Sequence, residues 1–359
     1  MSKKILITLL VLMVLITGAV SCAPAPAEEA APAEEAEPVE AEPVEEAEEA
    51  EEAEVVEEEM PKKIVLGYSP PTLEMTDFYV WGQTGLEKKA ADLGLDIEVV
   101  TKAPSTHAAA EEQLRIVEDF ITQGVDYIWV VPVSVEAGDP MFKAANDAGI
   151  PIFVGHAIYE NAEELNIYNV GTDFGKTGTD VGNWIADYLE CEGPVGIIRG
   201  AAGEYDAWRV ESAVDAMAAK CPDMEVIASD YTDWLTENAL NQAKTLMTSN
   251  PEIKLLYNPA SPLTLGTVQA LDELGLTGTV DVLDYDLIPT VQKMCKEDPP
   301  KVIGGLAMLP YVYGEVVVDL IQKDLNGETM PFVNEVPGIV VACDELATAF
   351  ASWYLEAGE

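Results

Sequence analysis

Residues 127–154 read YIWVVPVSVEAGDPMFKAANDAGIPIFV, a strand, a helix and a strand in one line of sequence. Tyr127–Pro132 is an apolar run rich in aromatic and β-branched residues, the signature of a strand buried on both faces. Asp139–Ala148 has a helical pattern, and Gly149 stops it, since glycine enters the left-handed conformation at a helix end without strain. Ile150–Val154 is the next apolar strand. Two buried strands joined by a crossover helix run parallel.

The same unit repeats in both directions. Upstream, Lys63–Tyr68 (KIVLGY) reads as a buried strand. A helix over Phe78–Leu93, a strand at Asp96–Thr101 and an amphipathic helix over Glu111–Gln123, stopped by Gly124, follow it. Downstream, helices are expected at Thr177–Leu189, Trp208–Ala219, Glu237–Ser249, Leu263–Leu274 and Ile288–Glu297. They alternate with strands at Val195–Arg199, Val226–Asp230, Leu255–Asn258 and Val280–Tyr285. Such an α/β alternation means parallel sheets covered on both faces. Roughly 300 residues exceed what one doubly wound domain usually needs, so two α/β lobes are expected. Ligands of such sheets sit beyond the carboxyl ends of the strands, and two lobes with those ends facing make a cleft.

The first sixty residues are of another kind. Lys3 and Lys4 precede an almost unbroken apolar run from Ile5 to Val20, and small residues then lead to Cys22. This describes a secretory signal peptide over residues 1–21. Ala19-Val20-Ser21-Cys22 resembles a bacterial lipobox, in which the cysteine becomes the acylated first residue of the mature chain; Ala19 stands where leucine is usual. Ordinary signal cleavage, with Cys22 an incidental thiol, is the alternative. Residues 22–61 are expected to form an acidic tether. From Ala23 to Met60 the chain is almost wholly Ala, Glu, Pro and Val, so it has nothing to bury and repels itself.

The net charge is −46; setting aside the seventeen glutamates of the tether and the two lysines of the leader leaves −31 on the body. A body so acidic is repelled by nucleic acid and by anionic headgroups, which argues against nucleic-acid binding. Beyond Cys22 there are four cysteines, Cys191, Cys221, Cys295 and Cys343, and two histidines, His107 and His156. No CxxC occurs, so no metal site is expected. In an exported chain, four cysteines read more naturally as two disulfides. Cys191 and Cys221 each end a helical pattern just before a strand, which places them on one face of one lobe. The expected pairs are 191–221 and 295–343, with free buried thiols the alternative.

After the first strand stands Gly67-Tyr68-Ser69-Pro70-Pro71, where a dinucleotide site would need Gly-x-Gly-x-x-Gly; the prolines remove N–H donors. No Walker loop, Gly-x-Ser-x-Gly elbow or His-Glu-x-x-His occurs. No cofactor and no catalysis are expected, although Asp284 and Asp286, on one face of a strand, offer the two carboxylates of a hydrolase pair.

Several phrases together resemble the ribose and galactose family of type I periplasmic binding proteins, over residues 62 to about 345. They are Lys63-Ile64-Val65-Leu66-Gly67-Tyr68-Ser69, Asp77-Phe78-Tyr79, Gln123-Gly124-Val125-Asp126, Gly149-Ile150-Pro151-Ile152 and Val170-Gly171-Thr172-Asp173. Val282-Leu283-Asp284-Tyr285-Asp286 stands where the family usually has Gly-Phe-Asp. The resemblance implies two doubly wound lobes, 62–170 plus 308–333 and 171–307 plus 334–359. Three hinge crossings would fall near Val170–Thr172, Leu306–Leu309 and Phe332–Val336. It also implies a monomeric receptor, not an enzyme, that takes a small sugar or polyol in the cleft and delivers it to the permease of an ABC-type transporter. The lipid on Cys22 would hold it to the membrane.

Residue by residue, Phe78 and Tyr79 match the family's paired stacking aromatics. Trp208 or the adjacent Arg209 falls at an arginine that reaches ligand hydroxyls. Trp234 matches a further stacking aromatic, and Asp286 a carboxylate that accepts from hydroxyls. The departures are as informative: Gly155 and His156 replace an Asp-Arg pair of ribose-binding members, Ala260 falls near an Asn, and Met308 replaces a Gln. The pocket expected is aromatic and less polar, with Asp284, Asp286, His156 and Arg209 as its polar groups and His107 at the surface. Two other readings share the fold: a cationic or quaternary amine held in an aromatic cage, and a sensory subunit that presents its bound ligand to a membrane receptor.

Overall fold

A computed structural model describes residues 63–72 and 76–346; the leader (1–21), Cys22, the tether (22–61) and residues 347–359 lie outside the described residues. The chain first forms β1 (Ile64–Ser69), α1 (Thr76–Asp92), β2 (Ile97–Thr101), α2 (Ala110–Gln123), β3 (Tyr127–Val130), α3 (Val135–Ala148), β4 (Ile152–Ala157) and β5 (Tyr168–Thr172). It continues through α4 (Phe174–Tyr188), β6 (Val195–Ile197), α5 (Glu204–Lys220), β7 (Val226–Ala228), α6 (Thr236–Ser249) and β8 (Leu255–Tyr257). Then come α7 (Ser261–Leu274), β9 (Asp281–Asp286), α8 (Pro289–Met294), β10 (Gly304–Ala307), α9 (Pro310–Leu325), β11 (Val333–Glu335) and β12 (Ile339–Ala342).

Two six-stranded sheets result, in the orders β11-β5-β4-β3-β1-β2 and β12-β10-β9-β8-β6-β7. All neighbouring strands are parallel except β10 and β12. The exception follows from how the chain changes sheets. It leaves the first sheet at the carboxyl ends of β5 and β11, and the second at that of β10. After β5 and β10 a helix carries it away from that end before the next strand begins. Between β11 and β12 only residues 336–338 intervene, so β12 enters its sheet at the carboxyl end of the others. It must therefore run against β10, with Ile339 opposite Ala307 and Ala342 opposite Gly304.

Each sheet is apolar on both faces, which is why its strands read as continuous runs. In the first, Leu66, Tyr68, Trp129 and Phe153 point into a core shared with Leu86 of α1 and Val317 and Ile321 of α9. The alternate residues Ile128, Val130, Ile152 and Val154 point to α2 and α3, against Phe120, Met141 and Phe142. The second sheet repeats this, with Ile197, Tyr257 and Tyr285 on one face and Leu256 and Val282 on the other. α9 lies so close on α1 that a Cβ at Gly314 would sit 2.0 Å from the Gly82 carbonyl oxygen.

Several helices begin earlier than the pattern suggests, because caps act before the apolar period starts. Ser134 Oγ accepts the Ala137 N–H at 3.2 Å, so α3 starts at Val135 and takes Pro140 inside it. Asp173 accepts the Lys176 N–H at 2.9 Å and starts α4 at Phe174. The disulfides Cys191–Cys221 and Cys295–Cys343 form as expected, the first joining the ends of α4 and α5 and the second joining α8 to the turn after β12.

Candidate functional site

The carboxyl ends of both sheets converge on one cavity. The first lobe contributes Pro71 after β1, Phe78 and Tyr79 at the start of α1, residues 131–133 after β3, and His156 near the end of β4. The second contributes Tyr205 and Arg209 from α5, Trp234 before α6, Ala260 before α7 and Asp286 at the end of β9. The space not filled by atoms is about 470 Å³, the open mouth included.

Arg209 organises the floor. Only 3% exposed, it lies 4.0 Å over the Phe174 ring and 4.6 Å over that of Tyr285. Its Nη1 donates to the Pro259 carbonyl at 2.7 Å, and its Nη2 lies 2.7 Å from His156 Nε2, across the two lobes. A guanidinium only donates, so Nε2 must be the acceptor and Nδ1 carries the imidazole hydrogen. Burial, then the charges of Arg209 and His107, hold the His156 pKa well below its ordinary value, so the ring is neutral. Other hydrogen bonds also cross between the lobes, among them Tyr159 Oη to Tyr205 Oη at 3.1 Å and Thr290 Oγ1 donating to Asp77 at 2.8 Å.

Three buried polar atoms on this floor have no hydrogen-bond partner within the protein: His156 Nδ1, Arg209 Nε and Asp286 Oδ1. The first two are donors and the third is an acceptor. The second oxygen of Asp286 accepts the Ser261 N–H at 2.9 Å. Burial raises the Asp286 pKa to about 7; Arg209 pulls it down, Asp284 pushes it up, and the Ser261 N–H pulls it down. Leaving buried donors and acceptors unpaired is costly, and native folds do so rarely. The backbone is strained at the same place. His156 (φ 87°), Trp234 (φ 62°) and Asp286 (φ 139°) all adopt positive φ, as do Asp233 and Leu287 beside them. Such strain persists where the surroundings over-determine it, commonly at sites that hold ligands.

The aromatic walls come from different elements. Phe78 and Tyr79 meet edge to face at 5.2 Å between centroids, and Phe78 meets His156 the same way at 5.4 Å. Trp234 packs closely against Gly200, where a Cβ would come within 2.2 Å of the indole. Thus Phe78, Tyr79, His156, Arg209, Trp234 and Asp286 share one cavity.

Trp208 does not join them. It lines a separate hollow with Tyr159, Asp173 and Phe174, because adjacent residues of a helix point about 100° apart. Tyr205 takes part instead, one helical turn before Arg209 on the same face; the sequence pattern begins this helix at Trp208 and so leaves Tyr205 outside it. Asp284 is not at the cavity either. Its oxygens are taken by Ser261 Oγ (2.8 Å), the Leu287 N–H (2.7 Å) and Thr264 Oγ1, so it braces the β9–α7 corner. Met308 is fully buried in the core. His107, expected at the surface, lies on the cavity wall, and burial lowers its pKa to about 4. No local signal marks it, since the long loop before α2 positions it. Among the described residues no cluster of three or more His, Cys, Asp or Glu side chains gathers to hold a metal ion.

Residues 66–329 match the family described as the periplasmic binding protein domain. The D-ribose/D-allose-binding protein of Pseudomonas aeruginosa is 28% identical over 273 residues, 75% of this chain and 83% of that one. The xylitol-binding protein of Mycolicibacterium smegmatis is 30% identical over 206 residues, 57% of each chain. Among solved structures, an ABC transporter periplasmic solute binding protein from Actinobacillus succinogenes with bound D-allose superposes with a TM-score of 0.72 at 27% identity, covering 80% of this chain and 100% of that one. A solute binding protein from Bacillus halodurans with bound myo-inositol superposes at 0.70 and 23% identity, covering 82% and 99%, and speaks to the fold alone.

Proposed function

Because this chain belongs to the periplasmic binding protein domain family, we propose that it is an extracytoplasmic receptor for a small sugar or polyol, which it delivers to the permease of an ABC-type transporter. The observation that carries this reading is the set of unpaired buried atoms on the cavity floor: two donors, His156 Nδ1 and Arg209 Nε, beside one acceptor, Asp286 Oδ1. A hydroxyl both donates and accepts, so vicinal hydroxyls satisfy such a mixed set where a purely donating or purely accepting ligand leaves part of it bare. The rings of Phe78, Tyr79 and Trp234 suit the apolar face that a sugar or polyol presents between its hydroxyls. Arg209 speaks against the amine reading, because its guanidinium already covers the faces of Phe174 and Tyr285 and would repel a second cation.

On this reading the lobes close by hinge motion at the three crossings, and a ligand that touches Asp286 and Phe78 together favours the closed form. The finer elements of the proposal are the lobe limits given above, a monomeric state, and export with lipid attachment at Cys22, which lies outside the described residues. The test is a thermal-shift screen of the protein, unfolded and refolded to strip carried-over ligand, against sugars, polyols, quaternary amines and amino acids. A ligand that binds only the folded state raises its melting temperature. Stabilisation by a sugar or polyol is the expected result. Stabilisation by amines alone would reverse the assignment.

A further inference from the structure

The sheet that supports the cavity holds a further unpaired donor. Trp129 of β3 is 2% exposed, and its indole Nε1 has no hydrogen-bond partner within the protein. A buried tryptophan usually finds an acceptor for that N–H, because leaving it bare costs free energy. The local geometry shows why none is met here. The ring stacks on Tyr68 of β1, with centroids 4.4 Å apart, which fixes its plane. Its Nε1 then faces β4 at Gly155, where a Cβ would lie 2.9 Å from the nitrogen. Glycine brings no side chain to accept the hydrogen. The same indole lines a small hollow of about 200 Å³, with Gly82 of α1 and Pro310 and Tyr313 of α9. Phe78, Tyr79, Val131 and His156 line both this hollow and the cavity, so the two spaces abut. The tyrosine hydroxyls at the hollow are engaged elsewhere: Tyr68 Oη donates to the Tyr79 carbonyl at 3.4 Å, and Tyr313 Oη bonds Thr172 Oγ1.

We infer that Trp129 determines specificity: its N–H is met by an oxygen on a ligand arm that enters the small hollow, so the ligand is a hexose and not the pentose that lacks the exocyclic hydroxymethyl group. The inference rests on the sugar reading of the cavity. An arm of one carbon and one hydroxyl suits both features of the hollow. Its carbon meets the ring surface of Phe78 and Tyr79, and its oxygen takes the N–H. A pentose can satisfy the cavity floor alike but leaves the indole bare. Gly155 serves the same end, since any side chain there would occupy the space in front of Nε1.

The experiment is titration calorimetry of the refolded full chain with sugar pairs that differ only by that group: D-allose and D-ribose, D-glucose and D-xylose, D-galactose and L-arabinose. The deoxy analogue of each hexose, which keeps the exocyclic carbon and lacks its hydroxyl, completes each set. The best hexose should bind roughly 10- to 100-fold tighter than its pentose and its deoxy analogue, the cost of leaving a buried N–H unpaired. In Trp129→Phe, which keeps a ring and removes the N–H, that gap should shrink to about twofold or less while pentose affinity holds. Should that variant not fold, the wild-type protein with isotope-labelled tryptophan reads the same contact by NMR. An indole N–H signal should then shift downfield with the hexose and not with its deoxy analogue. If a pentose or a deoxy analogue binds as tightly as its hexose, the arm in the hollow is refuted and the sugar reading stands. A gap that persists in Trp129→Phe, or an indole signal that does not distinguish hexose from deoxy analogue, likewise refutes the role of Trp129. If no sugar of the panel binds, the sugar reading of the cavity fails, and this inference falls with it.

Discussion

Asp286 shows how much one side chain at a strand end can carry. The unfolded chain gives it the ordinary value of 3.8, whereas burial in the fold raises it to about 7, with Arg209 and the Ser261 N–H opposing the rise and Asp284 adding to it. A carboxyl whose folded pKa is raised holds its proton longer in the folded state. Its contribution to stability is therefore full below about pH 4 and is lost as pH climbs through about 7. A ligand hydroxyl donated to Oδ1 favours the charged form, so the stabilisation conferred by ligand should grow over the same window. Asp286→Asn should flatten the part of the ligand-free melting profile nearest pH 7, leaving the share of Asp284, whose pKa burial also raises. The same variant should lower ligand affinity roughly 10- to 100-fold, the scale of a hydrogen bond to a charged group. Melting curves at a series of pH values, with and without ligand, read both effects; a wild-type profile would remove Asp286 from this role.

At the scale of elements, the site depends on helices that approach each other closely. α5 presents Tyr205 and Arg209 to the cavity and Trp208 away from it, so one helix serves two spaces through its period alone. α1 holds Phe78 and Tyr79 at its first turn, and its position is set by α9, which returns from the other lobe to lie against it. That contact tolerates no side chain at Gly314. Gly314→Ala would drive a methyl to 2.0 Å from the Gly82 oxygen and should cost about 1–3 kcal/mol through overpacking. Urea unfolding measures it, and an unchanged midpoint would mean that the helices separate freely. The α1–α9 contact was not readable in advance, because glycines 232 residues apart say nothing of their meeting until the chain has crossed twice.

For the whole molecule, the two sheets are built from discontinuous stretches of chain, so neither closes its core until residues beyond 310 have returned. A ligand held between Asp286 and Phe78 touches both parts, which couples binding to the interlobe contacts of Arg209 with His156 and Tyr205 with Tyr159. The proposed leader and lipid-anchored tether would decide where this body resides. Replacing Cys22 with Ser should move the protein from the membrane fraction to the soluble fraction of fractionated cells. Membrane retention of that variant would refute lipid attachment at this residue.

The sequence by itself determined the parallel α/β architecture, because strands buried on both faces must be continuously apolar and the helices between them must carry the chain back. Through the resemblance it also matched His156, Asp286 and the aromatic pair Phe78 and Tyr79 to a binding site, and all four line one cavity. Only the tertiary structure decided that Arg209 and not Trp208 faces the cavity, that His107 reaches its wall, and that Asp284 is spent on its own corner. Those outcomes depend on the rotation of helices and on hydrogen bonds between residues far apart in sequence, such as Arg209 with His156. No local period or spacing encodes which buried polar atoms the finished fold leaves unpaired.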